Sequence, residues 1–304
     1  GKKPFKIRVE DVCRNVAEQN GFCGGMTYSF ESPKVFDKLL LAEDAKERQA
    51  IEISNPLGED FSIMRTVSLN GMLTSLSTNL AHRNKNVRLY EFGNIYIPKS
   101  LPLTELPDER MQMTLGMYGE CDFFTLKGVV EDMLDSLGLG GRSEYAPTGE
   151  HPFLHPGRAV TINGEKIAYI GQIHPEVMDN YNMKGEVYVA VIDMPTLVPK
   201  ATFDRKYEGV AKFPAMKRDL SMVMKKDIFV GQLEKIFKDK GGKLLESYEL
   251  FDVYEGDQIE KGYKSVAYSL TFRAKDRTLE DAEVSKIVEK ILDELKKLGV
   301  ELRA

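Results

Sequence analysis

Cysteine is scarce in this chain of 304 residues, which contains only Cys13, Cys23 and Cys121. Three scattered thiols are too few for a disulfide framework, and they lack the spacing of zinc ligands. No apolar run approaches the ~18 residues that a membrane-spanning helix needs, and the first residues do not resemble a secretion signal. We therefore expect a protein of the reducing cytoplasm with no membrane partner.

An excess of positive charge is also missing. The formal net charge is −5, from 42 Lys and Arg against 47 Asp and Glu. Residues 205–304 contain 21 basic and 19 acidic residues, whereas the rest contains 21 basic and 28 acidic residues. Proteins that bind nucleic acid through counterion release need a strongly basic surface. Any contact with RNA should therefore be local and directed by shape, or be one part of a larger assembly.

The composition is that of a soluble globular protein, with 42% hydrophobic and 29% charged residues. Domains usually contain ~100–200 residues, so the length predicts about two of them. The hydrophobic pattern predicts an α+β protein with a mixed sheet and helices in residues 1–200, a linker at 201–210 and a smaller module at 211–304. In the first part it predicts helices at 11–19, 33–41, 69–80 and 126–137, strands at 26–30, 51–54, 87–97, 111–118 and 188–193, and a hairpin joining 160–162 to 166–170 through Asn163-Gly164.

The smaller module has the order strand, helix, strand, strand, helix, strand of a ferredoxin-like fold. Its last helix is predicted to begin at Thr278, with Asp281 completing a capping box, and to end at Gly299. The predicted strand at 265–273 alternates, with four apolar residues on one side: Val266, Tyr268, Leu270 and Phe272. The apolar side of the helix should cover that side of the sheet and leave the other side uncovered.

The uncovered face of this sheet is the most informative feature of the module. Alternation in the preceding strand assigns Phe251 and Val253 to one side, and it assigns Leu250, Asp252 and Tyr254 to the other. The uncovered face should then carry four polar or aromatic residues: Ser221, Asp252, Tyr254 and Ser265. A ring beside a carboxylate and hydroxyls suits an unpaired RNA base. In the alternative interpretation, Tyr254 only ends a strand and Asp252 only caps a turn, since exposed aromatic residues are common on sheets.

Four ordered sequence blocks carry a family resemblance in this module. They are Pro214-Ala215-Met216-Lys217-Arg218-Asp219-Leu220, Phe251-Asp252-Val253-Tyr254-Glu255-Gly256, Lys264-Ser265 and Arg277-Thr278-Leu279. Together they resemble the ferredoxin-fold anticodon-binding domain that ends the β subunit of bacterial phenylalanyl-tRNA synthetase. Any one block would be weak, but four in order within one module are specific.

The first 200 residues resemble the catalytic-like domain of the same subunit, a relative of class II synthetase cores. The matching stretches are Asn55-Pro56-Leu57, Met64 to Leu69, Leu89 to Gly93, Asp122 to Gly128, His155 to Arg158 and Gly171 to Pro175. The resemblance thus spans essentially the whole chain, although it covers only the C-terminal portion of the family's β subunit.

The resemblance implies a function. In the family, two α and two β chains join phenylalanine to its tRNA, and the α subunit performs the ATP- and Mg²⁺-dependent chemistry. This chain would bind the anticodon arm of phenylalanine tRNA through Ser221, Asp252, Tyr254 and Ser265, and it would also bind the α subunit. It would need no cofactor of its own. The sequence has no glycine-rich run ending in Arg and no Arg in the centre of Tyr90–Gly93, so it should lack the class II catalytic residues.

Two other classes of function fit the pattern less closely. A stand-alone ferredoxin-like protein could regulate a partner or sense an amino acid, and a purely structural interaction fragment would carry no specific site. Metal binding by His82, His151, His155 and His174 is disfavoured because no Cys or carboxylate lies at ligand spacing. Three of these histidines precede proline, which favours extended or turn conformations.

Three further features of the first part have a structural and a functional interpretation. Arg65 and Arg158 could contact RNA, but salt bridges or solvent exposure are the preferred interpretation. The apolar stripe from Leu69 to Leu80 is expected to pack in the core on one side and to contribute to the contact with the α subunit on the other.

Overall fold

The computed structural model describes residues 1–164, 167–207 and 209–303 and contains two compact units, Gly1–Arg205 and Lys206–Ala304. Each unit mixes helices with a sheet, as the predicted α+β class requires. The first unit contains two clusters of buried apolar side chains and the second contains one. Among the helices of the described residues, none is long and apolar enough to cross a bilayer.

The first unit contains nine strands and six α-helices within its described residues. The strands are β1 (Cys23–Gly24), β2 (Phe30–Glu31), β3 (Ile63–Met64), β4 (Val87–Ile97), β5 (Asp108–Tyr118), β6 (Tyr145–Pro147), β7 (Leu154–Ile162), β8 (Ala168–Ile173) and β9 (Val187–Asp193). The helices are α1 (Phe5–Gln19), α2 (Val35–Lys38), α3 (Leu69–Ala81), α4 (Phe123–Ser136), α5 (Pro175–Asn180) and α6 (Met194–Leu197).

A seven-stranded sheet with the order β1-β4-β5-β9-β8-β7-β6 is the centre of this unit. Neighbouring strands within this sheet run antiparallel, except that β1 runs parallel to β4. Met113, Leu115 and Met117 of β5 pack with residues of α1 and α4 in one apolar cluster. Val189 and Val191 of β9 pack with residues of α3 in the other cluster. Since alternate residues of one strand point to opposite faces, both faces of the sheet are covered.

The longest predicted elements of the first unit are confirmed. Strand 87–97 has the predicted bounds, and β7 and β8 form the predicted hairpin, in which Ile162 pairs with Ala168. Both Asn163 and Gly164 have positive φ in the connecting loop, at 53° and 64°. Residues of this type adopt that conformation at the lowest cost. The predicted second strand began at Lys166, which lies outside the described residues.

Several short elements differ from the prediction. Residues 26–30 are mostly irregular because Thr27 donates hydrogen bonds to the Glu91 carboxylate instead of joining a strand. The strand predicted at 51–54 is reduced to one bridge between Glu52 and Ile63. Helix α2 stops at Lys38, and Leu40 follows with a φ of 59° that a right-handed helix excludes.

Two helices begin earlier than predicted. Helix α1 begins at Phe5, immediately after Pro4. Helix α4 begins at Phe123, because the Asp122 carboxylate accepts a hydrogen bond from the backbone N–H of Thr125 at 2.7 Å. This contact satisfies an N–H that has no partner inside the helix.

The apolar stripe of α3 belongs to the core of the unit. Leu69, Met72, Leu73 and Leu76 are at most 2% exposed. The outer side of the helix carries polar residues such as Thr74 and Thr78. The prediction that one side of this helix packs in the core is confirmed. The prediction that its other side contributes to the contact with the α subunit stays a prediction.

The second unit contains β10 (Met216–Lys225), α7 (Val230–Gly241), β11 (Leu245–Tyr254), β12 (Tyr263–Phe272), α8 (Asp281–Lys297) and β13 (Glu301–Leu302). The strands pair antiparallel in the order β11-β12-β10-β13. This is the ferredoxin-like arrangement that the hydrophobic pattern predicts. Residues of both helices pack with Val266, Tyr268, Leu270 and Phe272 in one cluster. Both helices therefore cover one face of the sheet.

The start of α8 corrects the predicted capping box. The helix begins at Asp281, and the Glu283 carboxylate accepts a hydrogen bond from the backbone N–H of Glu280 at 3.1 Å. The predicted start at Thr278 is therefore three residues too early. Gly299 follows the helix with a φ of 75°, a left-handed conformation typical of helix ends.

Candidate functional site

The strand register brings the four predicted site residues to one face of the four-stranded sheet. Ser221 of β10 and Asp252 of β11 both lie opposite Ala267 of β12, and Tyr254 lies opposite Ser265. Residues directly opposite each other in neighbouring strands point to the same face. Positions 265 and 267 alternate with the buried Val266 and Tyr268, so this is the face that α7 and α8 leave uncovered.

A β-bulge in β11 corrects part of the predicted face assignment. Leu250 lies opposite Tyr268, whereas Asp252 lies opposite the next residue, Ala267. A two-residue advance along β11 thus corresponds to a one-residue advance along β12. The side chains of β11 before and after the bulge therefore alternate between the faces in opposite phase. Leu250 therefore shares the covered face, and its assignment beside Asp252 and Tyr254 is wrong. Phe251 is the extra residue of the bulge and is 55% exposed.

Two neighbours fix the ring of Tyr254. A Cβ atom at Gly256 would lie 2.4 Å from the Tyr254 hydroxyl oxygen, so a larger residue there would displace the ring from this position. On the other side, the Arg303 guanidinium lies 5.7 Å from the centroid of the ring. This guanidinium also donates a hydrogen bond to the Gln258 side-chain oxygen at 3.1 Å. The ring is therefore held in place before any ligand binds.

Arg303 is a site residue that the sequence reasoning missed. It directly follows β13, and its backbone N–H donates to the Ser221 carbonyl at 2.9 Å. The side chain extends over the sheet toward Tyr254, because both β10 and β12 lie between β13 and β11. No sequence block contains Arg303, and only the pairing of β13 with β10 brings it to this face.

The four residues differ in accessibility. Asp252 is exposed, Ser221 and Tyr254 are half-buried, and Ser265 is 4% exposed. Ser265 lies on β12, between Val223 of β10 and Tyr254 of β11. Its hydroxyl therefore lies on the predicted face, but beneath other side chains.

The other charged residues of the sequence blocks have structural roles. Arg218 of β10 forms an ion pair with Asp281 at the start of α8. Arg277 donates two hydrogen bonds of 2.7 Å to the Glu283 carboxylate. Lys264 donates to the Lys226 carbonyl at 3.1 Å, and partial burial lowers the pKa of this lysine. These contacts join β10 to the start of α8, the segment before α8 to that helix, and β12 to the residue that follows β10.

The first unit also has a polar centre, which its own residues occupy. The Arg65 guanidinium lies 3.2 Å from the Glu91 carboxylate, and both side chains are 4% exposed. Arg65 also donates to the Asn94 carbonyl at 2.7 Å, and Thr27 donates to Glu91 at 2.8 Å. A Cβ atom at Gly93 would lie 1.9 Å from the Arg65 guanidinium. The predicted salt-bridge role of Arg65 is thus confirmed.

Arg158 and the histidines have local partners. Arg158 donates to Gln172 at 2.6 Å and to Glu186 at 2.9 Å. His155 and His174 accept hydrogen bonds from the backbone N–H groups of Gly157 and Glu176. In the described part of the chain, no group of three or more His, Cys, Asp or Glu side chains lies close enough to hold a metal ion.

Comparison with known proteins identifies both units. Residues 1–194 match the family described as phenylalanyl tRNA synthetase beta chain CLM domain, and this match covers more than half of the chain. The chain belongs to the phenylalanyl-tRNA synthetase beta chain family. Residues 211–303 match the ferredoxin-fold anticodon binding domain, which is the region of the four site residues.

Relatives with the name phenylalanine–tRNA ligase beta subunit match nearly the whole length of the chain. The protein of Clostridium acetobutylicum is 42% identical over 97% of the chain, and that of Clostridium tetani is 42% identical over 99%. The Bacillus subtilis protein is 34% identical over 97% of the chain. The chain corresponds to only 38% of the length of the two clostridial relatives. The resemblance to this family that the sequence blocks indicate is therefore confirmed.

Comparison with solved structures supports a synthetase-like fold for much of the chain. The crystal structure of pyrrolysyl-tRNA synthetase from Desulfitobacterium hafniense matches 64% of this chain and 69% of its own chain, with a TM-score of 0.51. Sequence identity is 17%, so the match concerns the fold alone. It agrees with the synthetase-like core that the sequence predicts.

Proposed function

We propose that this chain is the C-terminal part of the β subunit of phenylalanine–tRNA ligase and binds the anticodon arm of phenylalanine tRNA. The observation that carries the proposal is the uncovered sheet face, on which Ser221, Asp252, Tyr254 and Ser265 converge. The names of the relatives indicate the enzyme to which the chain belongs. The match to the anticodon-binding domain indicates the part of the tRNA that it contacts.

Each residue of the face has a distinct role in this proposal. The Tyr254 ring is a platform for one unpaired anticodon base. The Asp252 carboxylate accepts hydrogen bonds from N–H groups of the base, and the Ser221 hydroxyl donates to or accepts from its edge. The Ser265 hydroxyl is 4% exposed, so it reaches the base only when the side chains above it move aside. Residues 205–304 carry only two more basic than acidic residues, so the phosphate backbone contributes little affinity. Tight binding then depends on the other modules of the enzyme.

Replacement of Tyr254 by Ala in the complete enzyme tests the proposal. Loss of one stacked base should weaken tRNA binding by about 1–3 kcal/mol, measured by fluorescence titration of the α–β complex. Tyr254→Phe should keep most of the affinity because the aromatic face remains. Tyr207→Ala is the matched control, since Tyr207 is 89% exposed and lies outside the sheet. Unchanged affinity of Tyr254→Ala would contradict the assignment.

The proposal also assigns the chemistry to the α subunit. In the cytoplasm, an α₂β₂ assembly would use ATP and Mg²⁺ on the α subunit, and this chain would supply recognition without a cofactor of its own. The internal pairing of Arg65 with Glu91 supports this division, because the arginine is already bound within the fold. We expect no phenylalanine-dependent pyrophosphate exchange by the chain alone. Robust exchange without an α subunit would contradict the division.

An exposed apolar surface in the first unit is a candidate contact for the α subunit. Met26 and Tyr28 are 92% and 72% exposed, and Tyr28 packs edge-to-face on Phe61 at 5.8 Å. Exposed apolar groups that lie together mark sites of protein association. Tyr28→Arg should reduce co-purification of the α subunit, whereas Leu106→Arg, at a separately exposed loop residue, should not. Equal recovery of the α subunit with Tyr28→Arg would exclude this surface.

A further inference from the structure

A concavity on the uncovered sheet face has no role in the site described above. It has a volume of about 370 Å³ and is lined by Val223, Lys225, Glu260, Tyr263, Gly299 and Glu301. Val223 lies opposite both Ser265 of β12 and Glu301 of β13. The concavity therefore adjoins the row of residues that contains Tyr254.

Tyr263 places a second aromatic ring on this face. It pairs with Lys225 and lies two residues before Ser265 in a stretch of β12 whose pairing with β10 has no register shift. Alternate residues of a strand point to the same face and are roughly 7 Å apart. Since Tyr254 lies opposite Ser265, Tyr254 and Tyr263 are diagonal neighbours.

The fold itself makes little use of the Tyr263 ring. The side chain has no hydrogen-bonding, aromatic or cationic partner among the residues that the structure describes, and it is half-buried. Tyr268 on the covered face differs, because its hydroxyl donates to Glu234 at 2.8 Å and its ring packs on Phe237 at 5.0 Å. A ring that lines a concavity without structural partners is suited to a ligand.

We propose that this concavity is a second base subsite, in which Tyr263 stacks on the unpaired nucleotide next to the one on Tyr254. This inference rests on the proposed function. RNA-binding sheets commonly use aromatic residues of neighbouring strands to stack two or three successive bases. The volume of the concavity is at the lower end of small-molecule pockets.

The charged residues of the concavity define the preferred base. The Glu260 and Glu301 carboxylates accept hydrogen bonds and donate none when ionised. They favour a base with an exocyclic amino group, such as adenine, cytosine or guanine, over uracil. Lys225 supplies a positive charge for a neighbouring phosphate.

Double-mutant cycles in the complete α–β enzyme test the subsite. Tyr254→Ala and Tyr263→Ala are each combined with tRNA that carries an abasic site at one anticodon-loop position at a time. We expect Tyr263→Ala to weaken binding about tenfold, Tyr263→Phe to retain binding, and the exposed-tyrosine control Tyr207→Ala to have no effect. With tRNA that lacks the base stacked on Tyr254, Tyr254→Ala should cause no further loss of affinity. With tRNA that lacks the base at an adjacent position, Tyr263→Ala should cause no further loss of affinity. Thermal melting verifies that each variant folds.

The outcomes separate the two proposals. If Tyr254→Ala weakens binding and Tyr263→Ala does not, the second subsite is excluded while the proposed function stands. If both variants couple to the same nucleotide, the face holds one base and the inference is again wrong. If neither variant weakens binding, the proposed function fails as well. At the nucleotide that couples to Tyr263, tighter binding of uracil than of the amino-bearing bases would overturn the role of Glu260 and Glu301.

Discussion

The two large sheets of the described residues, with seven and four strands, satisfy their polar residues in opposite ways. In the seven-stranded sheet both faces are covered, and the polar groups Arg65, Glu91 and Thr27 bind one another. In the four-stranded sheet one face is covered, and Asp252, Tyr254 and Tyr263 lie on the other without a helix above them. A buried charge must be satisfied within the protein, whereas an uncovered face can satisfy its polar groups with a ligand. The comparison separates a sheet whose polar groups are satisfied within the protein from a sheet with one face that remains accessible to a ligand.

The largest expected effect comes from the buried ion pair. Arg65→Met leaves the Glu91 carboxylate buried without its cation, which should lower the free energy of unfolding of the first unit by about 3–5 kcal/mol. Arg158→Ala removes a pair in which both side chains are more than half exposed, so it should leave the stability nearly unchanged. Urea unfolding, with hydrogen exchange to locate the loss, measures both. Equal losses of stability from the two variants would contradict the conclusion that the polar groups of the first unit are satisfied within the protein.

Substitutions on opposite faces of β12 sharpen the comparison within the second unit. Leu270 is fully buried, and Leu270→Ala should cost about 2–5 kcal/mol through lost burial and an unfilled cavity. Its neighbour Ser269 points to the uncovered face, and Ser269→Ala should change the stability by less than about 0.5 kcal/mol. Chemical denaturation of each variant distinguishes the faces. A large loss from Ser269→Ala would show that the second face is also covered.

A buried carboxylate in the first unit predicts a pH dependence. Burial raises the pKa of Glu31 from its usual 4.5 to about 7. The folded state therefore favours the protonated form, so the contribution of Glu31 to stability is complete below pH 4.5 and is lost as pH rises through 7. Glu31→Gln should make the protein more stable than the parent by roughly 1–3 kcal/mol at pH 8 and similar to it near pH 4.5.

Asn70 provides a structural reason why this substitution is tolerated. Its side-chain amide donates to Glu31 at 3.1 Å, and a glutamine oxygen can accept the same bond. Thermal melting of parent and variant across this pH range measures the difference. A difference that does not change with pH would contradict the raised pKa.

The smallest expected effect concerns Arg303 on the uncovered face. Its guanidinium lies over the Tyr254 ring, an exposed cation–π contact of the kind worth about 0.5–1 kcal/mol. Arg303→Ala should weaken tRNA binding by about this amount, because the ring is less well held and a positive charge is lost. Binding titrations with the complete enzyme test this. Tighter binding would instead show that Arg303 competes with the base for the ring.

The periodic parts of the chain were predictable from the sequence. Strand 87–97, the α3 stripe and the strand–helix order of the second unit depend on repeated burial of many residues, which leaves a strong pattern. Residues 26–30 were wrongly predicted as a strand, because the Thr27 contact with Glu91 joins positions 64 residues apart. The start of α8 was misplaced because Glu280 and Glu283 form a cap without Ser or Thr.

The sequence by itself determined the ferredoxin-like order, the covered face and the family, because alternation and the four blocks are local properties of the chain. Only the tertiary structure decided which side chains share the other face. The bulge at Phe251 moved Leu250 to the covered side, and pairing of β13 with β10 brought Arg303 over Tyr254. The register of β12 also placed Tyr263 in a concavity with residues of three other segments. Contacts between distant strands depend on register, and register is a property of the assembled sheet.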